Sequence, residues 1–124
     1  MSTVAQAAAA LKAVLDTIDG VRAYADLGAR VDPPGVLIGP PTLGWRAFCG
    51  PQPTSARFPL WVVAAADERG MSVLWDLVPA VAKAVEQGMP SAAVQDGPSA
   101  ASPTVYPSAG IELPAYQLLI EVDL

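Results

Sequence analysis

Phe58-Pro59-Leu60-Trp61-Val62-Val63-Ala64-Ala65-Ala66 is apolar at every position. On an extended chain Phe58, Leu60, Val62 and Ala64 fall on one face, and Trp61, Val63 and Ala65 on the other. A strand that is apolar on both faces is covered on both sides, so this one belongs at the centre of a sheet. The charged turn Asp67-Glu68-Arg69-Gly70 ends it.

Downstream, Ser72 to Gln87 reads as a helix. Val73, Leu74, Leu77, Val81, Ala84 and Val85 form its apolar stripe, Ser72 is the expected N-cap and Gly88 the expected stop. Pro79 interrupts this pattern. Either the helix bends there, or its main part begins near Pro79, where a first-turn proline is tolerated. Ala92-Ala93-Val94-Gln95 reads as a short strand. Asp96 to Pro107 reads as a loop with an extended piece at Thr104-Val105-Tyr106. In the closing segment, Tyr116 to Leu124, residues Tyr116, Leu118, Ile120, Val122 and Leu124 point one way. Gln117, Glu121 and Asp123 point the other way, with Leu119 among them. That alternation predicts a strand with one wetter face.

Upstream, Thr3 to Ile18 predicts a helix with Val4, Ala8, Leu11, Leu15 and Ile18 on one stripe. Ser2 or Thr3 caps its start and Gly20 its end. Val21 to Leu27 predicts a strand, Asp32-Pro33-Pro34-Gly35 a turn, and Val36-Leu37-Ile38 a short strand stopped by Gly39-Pro40-Pro41. Gly39 to Arg57 is a long Pro/Gly-rich connection that carries Leu43, Trp45 and Phe48. Connections of this length tend to be functional or disordered. The order helix, strands, helix, strands predicts an α+β fold: two helices packed on a mostly antiparallel sheet of four to five strands, in one domain spanning residues 1–124.

Of the 124 residues, 52% are hydrophobic and 15% charged. Soluble domains average about 45–50% and about 25%. A small domain has little interior, so part of the apolar surplus falls on the surface, where extended apolar area marks a partner interface. The competing explanation is an excess of alanine, which buries little per residue. Net charge is −5. The seven basic residues, Lys12, Arg22, Arg30, Arg46, Arg57, Arg69 and Lys83, make no cluster or stripe. That argues against direct nucleic-acid binding, which needs clustered cations against phosphate. An acidic surface past which DNA slides is compatible with the sequence.

The chain has no histidine and one cysteine, Cys49. This removes Ser-His-Asp and Cys-His catalysis, Cys/His zinc sites and intramolecular disulfides. No catalytic, metal or cofactor residues are expected. Asp16 with Asp19, and Asp67 with Glu68, read as solvated polar faces rather than cation sites. No Gly-rich phosphate loop is present. The N-terminal stretch lacks a basic n-region, and no apolar run reaches the ~18 residues of a membrane span, so the expected site of synthesis and use is the cytoplasm. Trp45 and Phe48 either fold back as a lid on their own core or anchor a partner, as interface aromatics often do.

Three stretches, in this order and spacing, resemble the tail terminator proteins of long-tailed phages with non-contractile tails. The first is the opening helix running into Ile18-Asp19-Gly20-Val21-Arg22-Ala23-Tyr24. The second is Val36-Leu37-Ile38-Gly39-Pro40-Pro41, a long loop, and Phe58-Pro59-Leu60-Trp61-Val62-Val63. The third is Val73-Leu74-Trp75-Asp76-Leu77-Val78-Pro79-Ala80-Val81, a Pro-rich stretch, and Tyr116-Gln117-Leu118-Leu119-Ile120-Glu121-Val122. The resemblance covers nearly the whole chain and carries no fixed catalytic motif.

It implies a virion protein at the tail-neck junction, assembled in the host cytoplasm. Six copies would close into a ring that caps the tail tube, ends tail polymerisation and meets the head-completion (stopper) protein. The ring's partners would be itself, the major tail tube protein and the stopper, with DNA passing the lumen unbound. On this reading Leu43, Trp45, Phe48 and Trp61 make subunit or tube contacts, and some of Asp67, Glu68, Asp96, Glu112 and Glu121 face the lumen. The alternatives are another neck or tail-completion protein and, from a different class, a small ligand-binding domain.

Overall fold

The fold follows from a computed structural model that describes residues 3–25, 31–46, 50–94, 101–108 and 110–124, with the backbone alone for Val94. Among these residues the order is α1 (Val4–Leu15), β1 (Arg22–Tyr24), β2 (Gly35–Ile38), β3 (Thr42–Gly44), β4 (Ser55–Val63), α2 (Gly70–Gly88), β5 (Ala92–Val94), β6 (Ala101–Ser108) and β7 (Ile111–Asp123). The protein is α+β, with two helices on one face of a curled, mostly antiparallel sheet.

The sheet has seven strands rather than four or five. Five lie in the order β1-β2-β4-β7-β5, β3 joins β4 and β6 joins β7. The long strands β4 and β7 pair over their shared length, from Ser55↔Asp123 to Val63↔Ala115. Each carries two short strands on its outer edge. β4 holds β3 at Ser55–Arg57 and β2 at Leu60–Val63. β7 holds β6 along its first half and β5 along its last turn of register. Only β1 with β2 is parallel.

Pro59 shows how a proline sits in a central strand. Its carbonyl accepts the Gly39 N–H at 2.8 Å, so its nitrogen faces the same edge. There β2 has ended and β3 has not begun, and no ladder bond is lost. Pro114 solves the same problem: its carbonyl accepts the Ala64 N–H at 3.0 Å, just past the end of β4.

The even-numbered face of β4 and β7 is the helix side. Phe58, Leu60, Val62, Leu118, Ile120 and Val122 pack there against Leu11 and Leu15 of α1 and Leu74, Val81 and Val85 of α2. Each fully buried aliphatic or Phe side chain contributes about 1.5–3 kcal/mol. The opposite face carries a smaller cluster, Val31, Leu37, Val63, Tyr106, Leu113 and Ala115, with Tyr24 and Trp61 at its margin. The two-sided coverage expected for Phe58 to Ala66 therefore arises from helices on one side and from Val31 and the curled β6–β7 hairpin on the other.

α1 opens with a capping box. Thr3 Oγ1 accepts the Gln6 N–H, and Gln6 Oε1 accepts the Thr3 N–H. The helix ends at Leu15 rather than Ile18, with Asp16 and not Gly20 at its C-cap; Gly20, at φ +74, lies further on in the turn that leads to β1. α2 begins two residues earlier than Ser72 and has no side-chain cap. It runs unbroken through Pro79, so the alternative of a helix starting there is set aside.

Candidate functional site

The β6–β7 edge and the first half of α2 form the most distinctive surface. α2 lies over β4 and β7 and leaves the helix side of β6 uncovered. Pro103 and Val105 stand there, opposite Tyr116 and Pro114 of β7, and both are exposed. On α2, Leu74, Leu77, Val81 and Val85 face the core. Trp75 is one residue, about 100° of helix, beyond Leu74. That turns it over β7, where its indole N–H donates to the Tyr116 hydroxyl at 3.2 Å. Trp75 keeps 62% of its surface exposed. Met71, one turn earlier on the same flank, is also exposed. The result is an apolar step, called the groove below: Trp75 and Met71 on α2 stand above a strip of sheet formed by Tyr116, Pro103 and Val105. Proline has no N–H for a neighbouring strand, so Pro103 and Pro107 blunt the outer edge of β6 against further strand pairing.

A second apolar corner lies at the far end of the sheet, in the connection expected from Gly39 to Arg57. This segment is more ordered than a loop: β3 pairs with β4 from Thr42↔Arg57 to Gly44↔Ser55. Beyond it the Trp45 indole N–H donates to the Pro51 carbonyl at 3.0 Å, and the Arg46 N–H to Thr54 Oγ1 at 3.0 Å. Trp45 is 55% exposed and Leu43 is also exposed; neither belongs to a core cluster. Of the two roles open to Trp45, the lid on its own core is not the arrangement found. Phe48 and Cys49 lie outside the described residues. Trp61 is elsewhere, half-buried over β2 on the helix-free face, with its ring centroid 6.3 Å from that of Tyr106.

The acidic candidates do not form one group. Asp67 and Glu68 sit in the turn before α2, where Asp67 Oδ1 accepts the Arg69 N–H at 2.9 Å. Glu112 is exposed on the β6–β7 hairpin at that same end of the sheet. Glu121 is nine residues along β7, roughly 30 Å away, and faces Arg57 across the strands at 3.8 Å. Asp96 lies outside the described residues. Asp16, read beside Asp19 as a polar face, accepts from Lys12 at 2.9 Å and from the Ala23 N–H at 3.2 Å. The Lys12 hydrogen bond is the main reason its carboxyl titrates below the ordinary 3.8.

Among the described residues no group of three His, Cys, Asp or Glu side chains is placed to hold a metal, and no helix is long and apolar enough to cross a membrane. A cleft of about 490 Å³ on the helix-free face is bordered by Arg22, Tyr24, Asp32 and Ser108. Two of its hydroxyls are turned onto the chain itself. Ser108 Oγ accepts the Val31 N–H at 3.1 Å and the Tyr24 hydroxyl accepts the Asp32 N–H at 3.0 Å. Convergent polar groups aimed at a ligand are the mark of a binding pocket, and these point instead to closure of the segment that precedes β2.

Trp75, Tyr116 and Val105 were not among the expected contact residues. The signal for Trp75 was present in the sequence: a large aromatic next to, rather than on, the Leu74-Leu77-Val81-Val85 stripe. No family model, no curated protein and no solved structure matches the chain.

Proposed function

We propose that this protein is a non-catalytic assembly subunit of a virion, of the tail-terminator type: a ring that caps the tail tube, stops its growth and meets the head-completion protein. The observation that carries the reading is the pair of unlike apolar corners. Leu43 and Trp45 project at one end of the sheet, and Met71, Trp75 and Val105 at the other. A contiguous exposed apolar patch on a small protein marks an interaction site, and each corner carries one. A contact between two different patches is heterologous, and heterologous contacts close into rings when the rotation permits.

Charge supports the same reading. Each chain carries −5, so a ring of six carries about −30, which repels rather than binds the phosphates of passing DNA. Asp67, Glu68 and Glu112 are the acidic candidates that share one end of the sheet, and the proposal draws the acidic residues of the bore from among them.

Native mass spectrometry with negative-stain imaging tests this. The expected result is closed rings with six times the mass of the 12.8 kDa chain, which halt growth when added to polymerising tail tube protein. Rings that leave tube growth unaffected would move the protein to another position in the neck. A monomer that also fails to affect tube growth would remove the proposal.

A further inference from the structure

Resting on the ring reading above, we infer that the occupant of the α2–β6 groove is the Leu43–Arg46 arm of a second copy of this chain. The arm cannot fill its own groove. It pairs with β4 at Ser55–Arg57, whereas the groove lies along Pro114 to Tyr116, opposite Val62 and beyond. Seven or more residues of extended strand separate them, about 25 Å.

The two surfaces suit each other in shape and charge. Trp45 is a projecting anchor already fixed by its bond to Pro51, so little conformational freedom is lost on docking. The groove offers the Trp75 indole as a wall and Tyr116, Val105 and Pro103 as an apolar floor for a second indole. Beside the anchor stands Arg46, exposed and, among the described residues, without an ion-pair partner. The nearby Arg57 is engaged by Glu121. The groove's outer end is acidic, with Asp67, Glu68 and Glu112 against a single cation, Arg69. Arg46 entering beside Trp45 meets Glu112 on the β6–β7 hairpin. Glu112 then belongs to the seam between subunits, and the bore charge of that corner falls to Asp67 and Glu68.

The decisive experiment mixes two defective proteins. Trp45→Ala lacks the anchor and keeps the groove; Trp75→Ala lacks the groove wall and keeps the anchor. Both side chains are exposed, so both variants are expected to fold, checked by circular dichroism. Sedimentation velocity under reducing conditions should show each variant alone as a monomer and the equimolar mixture as a 1:1 dimer, because one intact contact remains and a ring cannot close. A mixture that stays monomeric while the wild-type chain assembles overturns this interface and leaves the ring reading intact. A mixture that dimerises while the wild-type chain forms open filaments sustains the interface and overturns the terminator reading. A wild-type chain that is monomeric at every concentration overturns the interface. Charge exchange provides an independent readout. Arg46→Glu should weaken association about tenfold and Glu112→Arg in the same chain should restore it; no restoration overturns the pairing.

Discussion

Gly39 lies directly beneath the Trp61 ring: a methyl group on Gly39 would stand 2.6 Å from Cζ3 of Trp61 and 2.7 Å from Cγ of Pro59. The glycine is buried and its N–H is already committed to the Pro59 carbonyl. It marks the place where β2 ends and the chain turns toward β3, so the indole closes over backbone rather than over a side chain. Gly39→Ala is therefore expected to destabilise by about 1–3 kcal/mol, the range of overpacking in a tight site. Urea unfolding of Gly39→Ala, Trp61→Leu and the double variant checks this. The double variant should be less destabilised than the sum of the singles, because Trp61→Leu removes the indole's share of the clash and leaves only that with Pro59. Additive losses would mean that the indole contributes nothing to the crowding at Gly39.

Leu74 and Trp75 are neighbours in sequence with opposite fates. Leu74 is fully buried and Trp75 mostly exposed. Leu74→Ala should cost about 2–5 kcal/mol through lost burial and the cavity it leaves. Trp75→Ala should cost under about 1 kcal/mol, since it loses one exposed hydrogen bond to Tyr116 and little burial. Denaturant midpoints of the two variants give the comparison. A large loss for Trp75→Ala would make the indole part of the core and the groove a crevice of the monomer.

The Asp16 carboxylate ties the end of α1 to β1 through the Ala23 N–H and pairs with Lys12 along the helix. The pair is 41–44% exposed, so solvent screening limits its worth to a few tenths of a kcal/mol, up to about 1. The folded carboxyl titrates below the unfolded value near 3.8. Its contribution is therefore complete above that value and is lost as pH falls through the folded one. Stability from this group should be flat from pH 7 to 5 and decline below about pH 4. Asp16→Asn keeps an oxygen for Ala23 and removes the titration, so its urea midpoint should fall less steeply over the acid range than that of the wild-type chain. Identical slopes would show that other carboxylates account for the acid loss.

Where local chemistry alone decides an element, the sequence was readable. Thr3 at the start of α1 and the alternation of Leu118, Ile120 and Val122 each specify their structure without help from distant residues; the end of α1 was read too late, because Asp16 stops it by reaching the Ala23 N–H seven residues on. β3 was missed, and β6 was read only as an extended piece at Thr104–Tyr106, for the opposite reason. Thr42-Leu43-Gly44 has almost no strand preference of its own, and Pro103 and Pro107 argue against a strand. Both segments are extended because β4 and β7 are longer than their other partners and leave backbone edges to satisfy. The groove was illegible for the same cause, since its β6 wall exists only through this pairing. Trp45 could be singled out from sequence because an aromatic in a Pro/Gly-rich connection is conspicuous. Which way it faced depended on Pro51 and Thr54, a backbone detail that composition does not carry.

Pro79 lies inside α2, one turn after Trp75. In an unbroken helix the residue at 79 donates its N–H to the Trp75 carbonyl, and proline both withholds that donor and crowds the carbonyl. Pro79 is exposed, so replacing it leaves no cavity. Pro79→Ala should gain up to ~3 kcal/mol in helix preference and lose about 0.4–1 kcal/mol through a freer unfolded chain. A net gain of up to about 2 kcal/mol is expected, read as a higher urea midpoint at unchanged slope. The same variant supplies the Trp75 carbonyl with the N–H that Pro79 withholds and changes the turn that carries Trp75 over Tyr116, so a more stable chain should associate more weakly, a combination that sedimentation velocity on the unfolding samples would show. A less stable Pro79→Ala would mean that the helix needs proline at this position to bring Leu74 and Leu77 before it, and Val81 and Val85 after it, onto one curled sheet together.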